Sequence, residues 1–297
     1  MNWRELAKKI FPVEFEEFEK KMKAQGRRPD SVEYTSIEKD VLRRDLTINA
    51  LFYDIQNKKV VDLVGGMDDI KNNKIRTVGN PKDRFEEDPL RKLRAVRFMA
   101  RMGGELDRDT YNALKEDPNM KGVSPERIRD EFLKILNTAK DVEHALNVLD
   151  ELGFMKEIFP GLKTNVEEIV KGNTIATVAL VLYDNTHQEL NRILNKLTWT
   201  KDEVSAVCFL NRLGDLTEDN AYDMKRIQDR SSLKDDPETV LAFAEKIMPT
   251  DLAKAFSTYK VSTSGDNLER EGYEGRELGE KMKEIETEKF KEHLRTK

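Results

Sequence analysis

Between Val13 and Val78 apolar residues come in short runs, VEFEEF, ALFYDI and KKVVDLV, rich in Val, Ile, Phe and Tyr. Gln56-Asn57 separates the last two as a turn does, which predicts a small sheet containing a hairpin. After Gly79-Asn80-Pro81 the spacing of apolar residues changes to three and four, and helices are predicted from there to the end. Asp88-Pro89 and Ser124-Pro125 each place a side-chain cap before a proline at the first helical position, where a missing N–H costs nothing. Later helices are predicted from roughly Val142 to Leu152, closed by Gly153, then through TIATVALVLYD, HQELNRILNKL and KDEVSAVCFLNRLG, with a final charged helix around GRELGEKMKEIETEKFKEHL. No internal repeat stands out. The fold class predicted is α+β, a small mixed sheet followed by helices only. A sheet region of about 60 residues buries little by itself, so part of its domain is expected upstream or on another chain.

Composition sharpens this in three ways. Of 297 residues 37% are charged, well above the share in an average globular protein, as expected of thin helical modules with much solvated surface. The net charge of −5 repels nucleic acid globally, so any such partner must be held by a local basic surface. A single cysteine, Cys208, excludes an intramolecular disulfide and suits a reducing compartment, with the cytoplasm as the expected location. No apolar run has the length of a signal peptide or a membrane span, and no membrane partner is expected. His144, His187 and His293 are scattered singly, which argues against a histidine-built metal centre and for surface or helix-end histidines.

The local basic surface is found after Asp88. Arg91, Arg94, Arg97 and Arg101 follow at steps of three, three and four, so they form one stripe along a helix, while Leu90, Leu93, Val96, Ala100 and Met102 turn largely elsewhere. From Lys71 to Arg101 ten residues are basic and four acidic. Asp88 and Arg91 offer an acceptor and a donor side by side. Adenine and cytosine each present an exocyclic amine beside a ring-nitrogen acceptor, whereas guanine and uracil present a carbonyl beside an N–H, so this pair complements A and C and not G and U. The plain alternative is an N-cap and a solvated arginine face. In RRDLTINA, Arg44 is a candidate for a triphosphate and Asp45 for a ribose hydroxyl, with Asn49 in support. The alternative there is an ion pair and a turn cap, favoured for Asn49 and disfavoured for Arg44. Gly65-Gly66 in DLVGG predicts a sharp exit from a strand and a hinge, more than a phosphate cradle. Arg127 and Arg129 are expected to brace the Asp88 helix.

Taken in order, GRRPDSVEY, RRDLTINALFYD, DLVGGMDD, EEDPLRKLRAVRFMARMG and SPERIRDEFLKIL resemble the class II CCA-adding tRNA nucleotidyltransferases, the family that also contains the bacterial poly(A) polymerases. LDELGFMKEIFPGL and GRELGEKMKEI extend the likeness at lower specificity to the body and tail of that family. The resemblance implies a DNA polymerase beta-like head over 1–66, a helical neck carrying the nucleotide-recognition helix over 67–138, a helical body over 139–225 and a tRNA-binding tail over 226–297. It implies a nucleotide site made of Arg44, Asp45, Asp88, Arg91, Arg94 and Arg97, with Asn49 and Arg127 in support. Implied partners are CTP, ATP and the tRNA 3′ end, and the implied reaction is metal-dependent nucleotidyl transfer.

One element of that family is expected to lie outside this chain. The resembled enzymes hold Mg2+ on an Asp-x-Asp pair that follows a Gly-Gly-x-x-Arg-Asp loop, upstream of the segment matching GRRPD, and no such loop occurs here. The N-terminal part of the head is therefore expected to be cut away, lost or supplied by a complementing polypeptide. No productive metal site is expected in the isolated chain; Glu14 is only a weak candidate ligand. A catalytically inactive tRNA-binding remnant and a poly(A) polymerase are the alternative readings.

Overall fold

The computed structural model describes residues 36–54 and 57–296. The expected strand VEFEEF, the GRRPDSVEY segment, Glu14 and Gln56 lie outside the described residues. The described chain is α+β, and it falls into two compact units. One runs to Val123 and takes in Thr138–Asp141; the other comprises Ser124–Asn137 and everything from Val142.

The first unit begins with α1 (Ile37–Leu42), then a 3-10 turn at Thr47–Asn49 leads into the expected hairpin. Strand β1 (Leu51–Asp54) pairs antiparallel with β2 (Lys59–Asp62), Phe52 opposite Val61 and Tyr53 opposite Val60. A buried cluster of Val41, Ala50 and Val78, with Phe52 and Val64 against it, ties α1 to the hairpin. Next come α2 (Gly66–Lys71), β3 (Lys74–Ile75), α3 (Pro81–Glu87), α4 (Leu90–Met102), β4 (Glu105–Leu106) and α5 (Arg108–Glu116). The two-residue strands β3 and β4 pair in parallel. Helices thus precede Gly79, contrary to the sequence expectation: α1 and α2 are six residues each, under two turns, too short to display a 3.6-residue period.

Gly65-Gly66 is a packed corner of the first unit and not the expected hinge. Gly65 is left-handed at φ 78°, and a Cβ on Gly66 would stand 2.2 Å from the Thr47 carbonyl oxygen. Nor is it a phosphate cradle, because the backbone N–H groups of Val64, Gly65, Gly66 and Met67 already donate to the Asp62 carboxylate at 2.8–3.1 Å. Burial disfavours that charge, yet these four donors outweigh it and hold the Asp62 carboxyl below its usual range.

The second unit is helical throughout its described residues: α6 (Pro125–Thr138), α7 (Val142–Glu151), α8 (Phe154–Ile158), α9 (Thr174–Val181), α10 (His187–Lys196), α11 (Lys201–Arg212), α12 (Ala221–Gln228), α13 (Pro237–Ile247), α14 (Thr250–Thr258), α15 (Gly265–Arg270) and α16 (Gly275–Arg295). The predicted helices are all here. Capping boxes Thr186/Glu189 and Thr200/Glu203 start α10 and α11, and Gly153 closes α7 in the left-handed region. Cys208 is buried in α11, where desolvation pushes its thiol up to about 11. Among the described residues no helix is long and apolar enough to cross a membrane.

Helix α16 is fastened by one buried carboxylate. Glu286 accepts from the Tyr259 hydroxyl at 2.6 Å, from the backbone N–H of Ser262 and Thr263, and from the Thr263 hydroxyl, with the Lys289 ammonium 3.3 Å away. Burial opposes the charge, but the hydrogen bonds win and depress the carboxyl to about 2.

Two outcomes follow for stability. Glu286→Gln should unfold more readily at neutral pH by on the order of 1–3 kcal/mol. The wild-type advantage is complete above about pH 4.5 and lost as pH falls toward 2, so urea melts of the two proteins should converge across that window. Gly66→Ala should cost about 1–3 kcal/mol in the same melts, since backbone and not a flexible side chain obstructs the new methyl.

Candidate nucleotide site

The sequence of α4 decides which way each of its residues faces. Leu90, Leu93, Val96, Met99, Ala100 and Met102 are buried, while Arg91, Arg94, Arg97 and Arg101 are the partly exposed positions of the helix. The stripe is therefore one face of α4. Its start is built as the sequence predicts: Asp88 is extended, Pro89 already has helical dihedrals, and Asp88 Oδ1 accepts from the Leu90 N–H at 3.2 Å. Glu87, the residue before Asp88, is engaged by Arg84 at 3.0 Å and Arg91 at 2.7 Å.

The RRDLTINA segment packs against this face. Asp45 is buried, and its Oδ2 takes the Arg94 Nε–H at 2.7 Å and lies 2.5 Å from Arg94 Nη2. Its Oδ1 accepts from its neighbour Leu46 N–H at 2.8 Å and from the Asn49 side-chain amide at 3.2 Å. Burial penalises the Asp45 charge, but the Arg94 guanidinium and these donors more than offset it, so the carboxyl lies below its ordinary value. Both oxygens are in use, which leaves little acceptor capacity for the ribose hydroxyl expected there. Asn49 behaves as the plain alternative has it, as a turn residue bonded to Asp45.

Arg44 is anchored and still accessible. Its Nε donates to Asp40 at 3.0 Å, its Nη1 donates to the Asn49 carbonyl at 2.8 Å, and the guanidinium lies over the Phe52 ring at 4.9 Å. The side chain retains 40% exposure. Arg44 and Arg94 thus meet around one residue, Asn49, through its backbone oxygen on one side and through Asp45 on the other. Arg97 lies over the Phe98 ring at 4.5 Å.

Arg91 is partly committed. Nη1 donates to Glu87 at 2.7 Å and to the Arg84 carbonyl at 3.2 Å, and Nη2 donates to the Arg43 carbonyl at 3.1 Å. A guanidinium has five N–H donors, so the Nε–H and one Nη2–H remain without an acceptor among the described residues. The arrangement brings Arg44, Asp45, Asn49 and Arg94 together and sets Asp88 and Arg91 on the first turn of the same helix. Arg127 and Arg129 belong to the other unit. Within its unit Arg129 donates to the Asp130 carboxylate and to the Thr198 carbonyl and lies 3.8 Å from Glu203. Arg127 is exposed, with its backbone N–H capped by Ser124 at 3.4 Å.

The excess of basic residues between Lys71 and Arg101 is largely neutralised in space. Arg76 pairs with Asp69, Lys82 with Glu116, buried Lys92 with Asp117 and Arg94 with Asp45. Sequence reasoning missed Lys92, which points inward and donates to Asp117 and the Asn119 carbonyl, each at 2.8 Å. It also missed Arg84 and Asp40; the signal was present as opposite charges at three and four spacings, Arg84-Glu87-Arg91 and Asp40-Arg43-Arg44. No three His, Cys, Asp or Glu side chains converge to hold a metal ion among the described residues.

The chain is similar to known proteins in sequence and in fold. Residues 6–76 match the family model described as the poly A polymerase head domain, and residues 105–165 match that described as the probable RNA and SrmB-binding site of polymerase A. The CCA-adding enzyme of Bacillus pumilus is 38% identical over 62% of this chain and 44% of its own length. Poly(A) polymerase I of Haemophilus influenzae is 37% identical over 46% of this chain and 30% of its own. The structure of the Thermotoga maritima CCA-adding enzyme complexed with tRNA superimposes with a TM-score of 0.63 at 20% identity, covering 88% of this chain and 73% of that one. The matches to the curated relatives span less than half of their length. In order of motifs, in sequence and in fold, the chain is similar to CCA-adding enzymes and bacterial poly(A) polymerases, and two parts of it match the head and RNA-binding models of the latter.

Proposed function

We propose that this chain binds CTP and ATP at the first turn of α4 and takes part in adding nucleotides to the 3′ end of tRNA. The observation that carries the reading is the placement of Asp88 and Arg91 on one helical turn, with two guanidinium N–H donors still available beside a carboxylate. Such a pair donates to the ring nitrogen and accepts from the exocyclic amine of cytosine or adenine. Against guanine or uracil it sets acceptor against acceptor and donor against donor. Arg44, Arg94 and Arg97 supply the cations for the triphosphate; Arg44 contributes more directly than Arg94, being anchored yet not held by a buried carboxylate. Asp45 acts mainly by fixing Arg94.

The family's chemistry requires Mg2+, which lowers the charge barrier at the triphosphate. The described residues do not offer a donor set for it. The reading is that the carboxylates come from a segment not contained in these 297 residues, supplied as a complementing polypeptide. The same pocket accepts ATP in either reaction, so CCA addition and poly(A) addition share this site chemistry. The matched RNA-binding region and the tRNA complex of the Thermotoga maritima relative support a tRNA 3′ end as acceptor.

Two measurements test the reading. With tRNA lacking its 3′ end, CTP, ATP and Mg2+, incorporation should require a fragment bearing the Asp-x-Asp pair; no incorporation with that fragment present, alongside retained tRNA binding, identifies an inactive binding remnant instead. Arg91→Ala should lower the preference for CTP over UTP by roughly tenfold or more in equilibrium dialysis. Arg101→Ala should leave that preference intact while weakening tRNA binding and reducing the salt slope by about one. Equal effects from both would reduce the stripe to undifferentiated electrostatics.

A further inference from the structure

The Arg91 guanidinium is held by three acceptors, and two of them trace back to one residue that neither the motif reading nor the family match singles out. Arg84 lies on α3, one turn and a break away from α4. Its own carbonyl accepts from Arg91 Nη1 at 3.2 Å. Its Nη2 lies 3.0 Å from Glu87 Oε1, while Glu87 Oε2 takes Arg91 Nη1 at 2.7 Å, so one carboxylate joins the two guanidiniums. The third acceptor for Arg91 is the Arg43 carbonyl, at the end of α1. Arg84 reaches the same helix end from the other side, donating Nη1 to the Leu42 carbonyl at 2.7 Å.

Adjacent carbonyls at the C-terminus of α1 are thus gripped by two arginines that are themselves joined through Glu87. Carbonyls at a helix end lack intrahelical partners and attract cations, so the grip is favourable at both points. The geometry carries a cost that packing does not explain: Arg84 Nε is buried with no acceptor among the described residues. A local rule broken without a packing gain is the mark of a residue kept for where it puts something else. Holding a guanidinium at both Nη groups also fixes its plane. Arg91 so held directs its remaining donors along one direction, and base selection needs that: a rotating guanidinium satisfies a carbonyl acceptor as readily as a ring nitrogen.

We propose that Arg84 is a positioning residue for base selection, fixing Arg91 through Glu87 and through the C-terminal carbonyls of α1. The inference rests on the proposed reading of CTP and ATP by Asp88 and Arg91. Arg84 touches no part of the triphosphate site, so its removal affects discrimination and not phosphate affinity.

The test uses the full chain and equilibrium dialysis with CTP, UTP, ATP, GTP and inorganic tripolyphosphate. Arg84→Ala should reduce the CTP/UTP and ATP/GTP affinity ratios by roughly tenfold, with tripolyphosphate affinity within about twofold of wild type. Arg84→Lys should fall between, since an ammonium keeps the charge but lacks the rigid fork of donors that spans the Leu42 carbonyl and Glu87; it also decides the matter if the alanine variant does not fold. Unchanged ratios in a wild type that does discriminate overturn the role of Arg84 and leave the base-reading intact. An equal loss of tripolyphosphate binding overturns it too, by showing a general charge effect. A wild type that binds the four nucleotides alike overturns both.

Discussion

The buried pair of Asp45 and Arg94 is the interaction on which the site depends. It joins the turn after α1 to the second turn of α4, and so brings the RRDLTINA segment and the arginine face of α4 into one candidate site. A carboxylate with a tenth of its surface exposed is costly unless every lone pair finds a donor. Here Arg94, Asn49 and the Leu46 N–H provide them, and the depressed carboxyl shows that the charged form is the stable one. Arg44 is then placed by the same turn, because the residue that completes Asp45 through its side chain accepts Arg44 through its carbonyl.

Much of this was legible in the sequence, and the pattern of successes is physical. Long periodic segments announced themselves: the helices from Pro125 onward, the hairpin from Leu51 to Asp62, and the arginine face of α4 all follow from side-chain spacing alone. Caps were equally readable, because Asp88 and Ser124 act within three residues of themselves. What the sequence concealed was non-local or short. Helices α1 and α2 are below two turns, and β3 with β4 amount to two residues each. Gly65-Gly66 has the composition of a hinge, yet the close approach of Thr47 and the carboxylate of Asp62 turn it into a rigid corner, and neither partner is visible from the dipeptide.

The site residues divide in the same way. Spacing identified the stripe but not its partners, so Asp45 was expected to face a ribose when its oxygens are committed to Arg94, Leu46 and Asn49. Lys92 was counted with the basic surface although it points into the unit, where Asp117 and the Asn119 carbonyl receive it. Arg129 has partners that the sequence hid, the Thr198 carbonyl and Glu203, some seventy residues further on, beside its neighbour Asp130.

This pairing bears on the nucleotide recognition proposed above. A linear count between Lys71 and Arg101 suggests a strongly positive surface, the kind that draws any polyanion. In space, carboxylates from Asp45, Asp69, Glu116 and Asp117 cancel much of it. A chain of net charge −5 therefore does not collect nucleotides by field strength. What remains is a small number of donors whose directions are fixed by their intramolecular partners, Arg44 over Phe52 and Arg91 between three acceptors. Bulk charge attracts all four nucleoside triphosphates alike, since they differ only in the base. In the proposed function, oriented donors beside a fixed carboxylate are what distinguish them, and neutralised surroundings are what leave the choice of nucleotide to that difference.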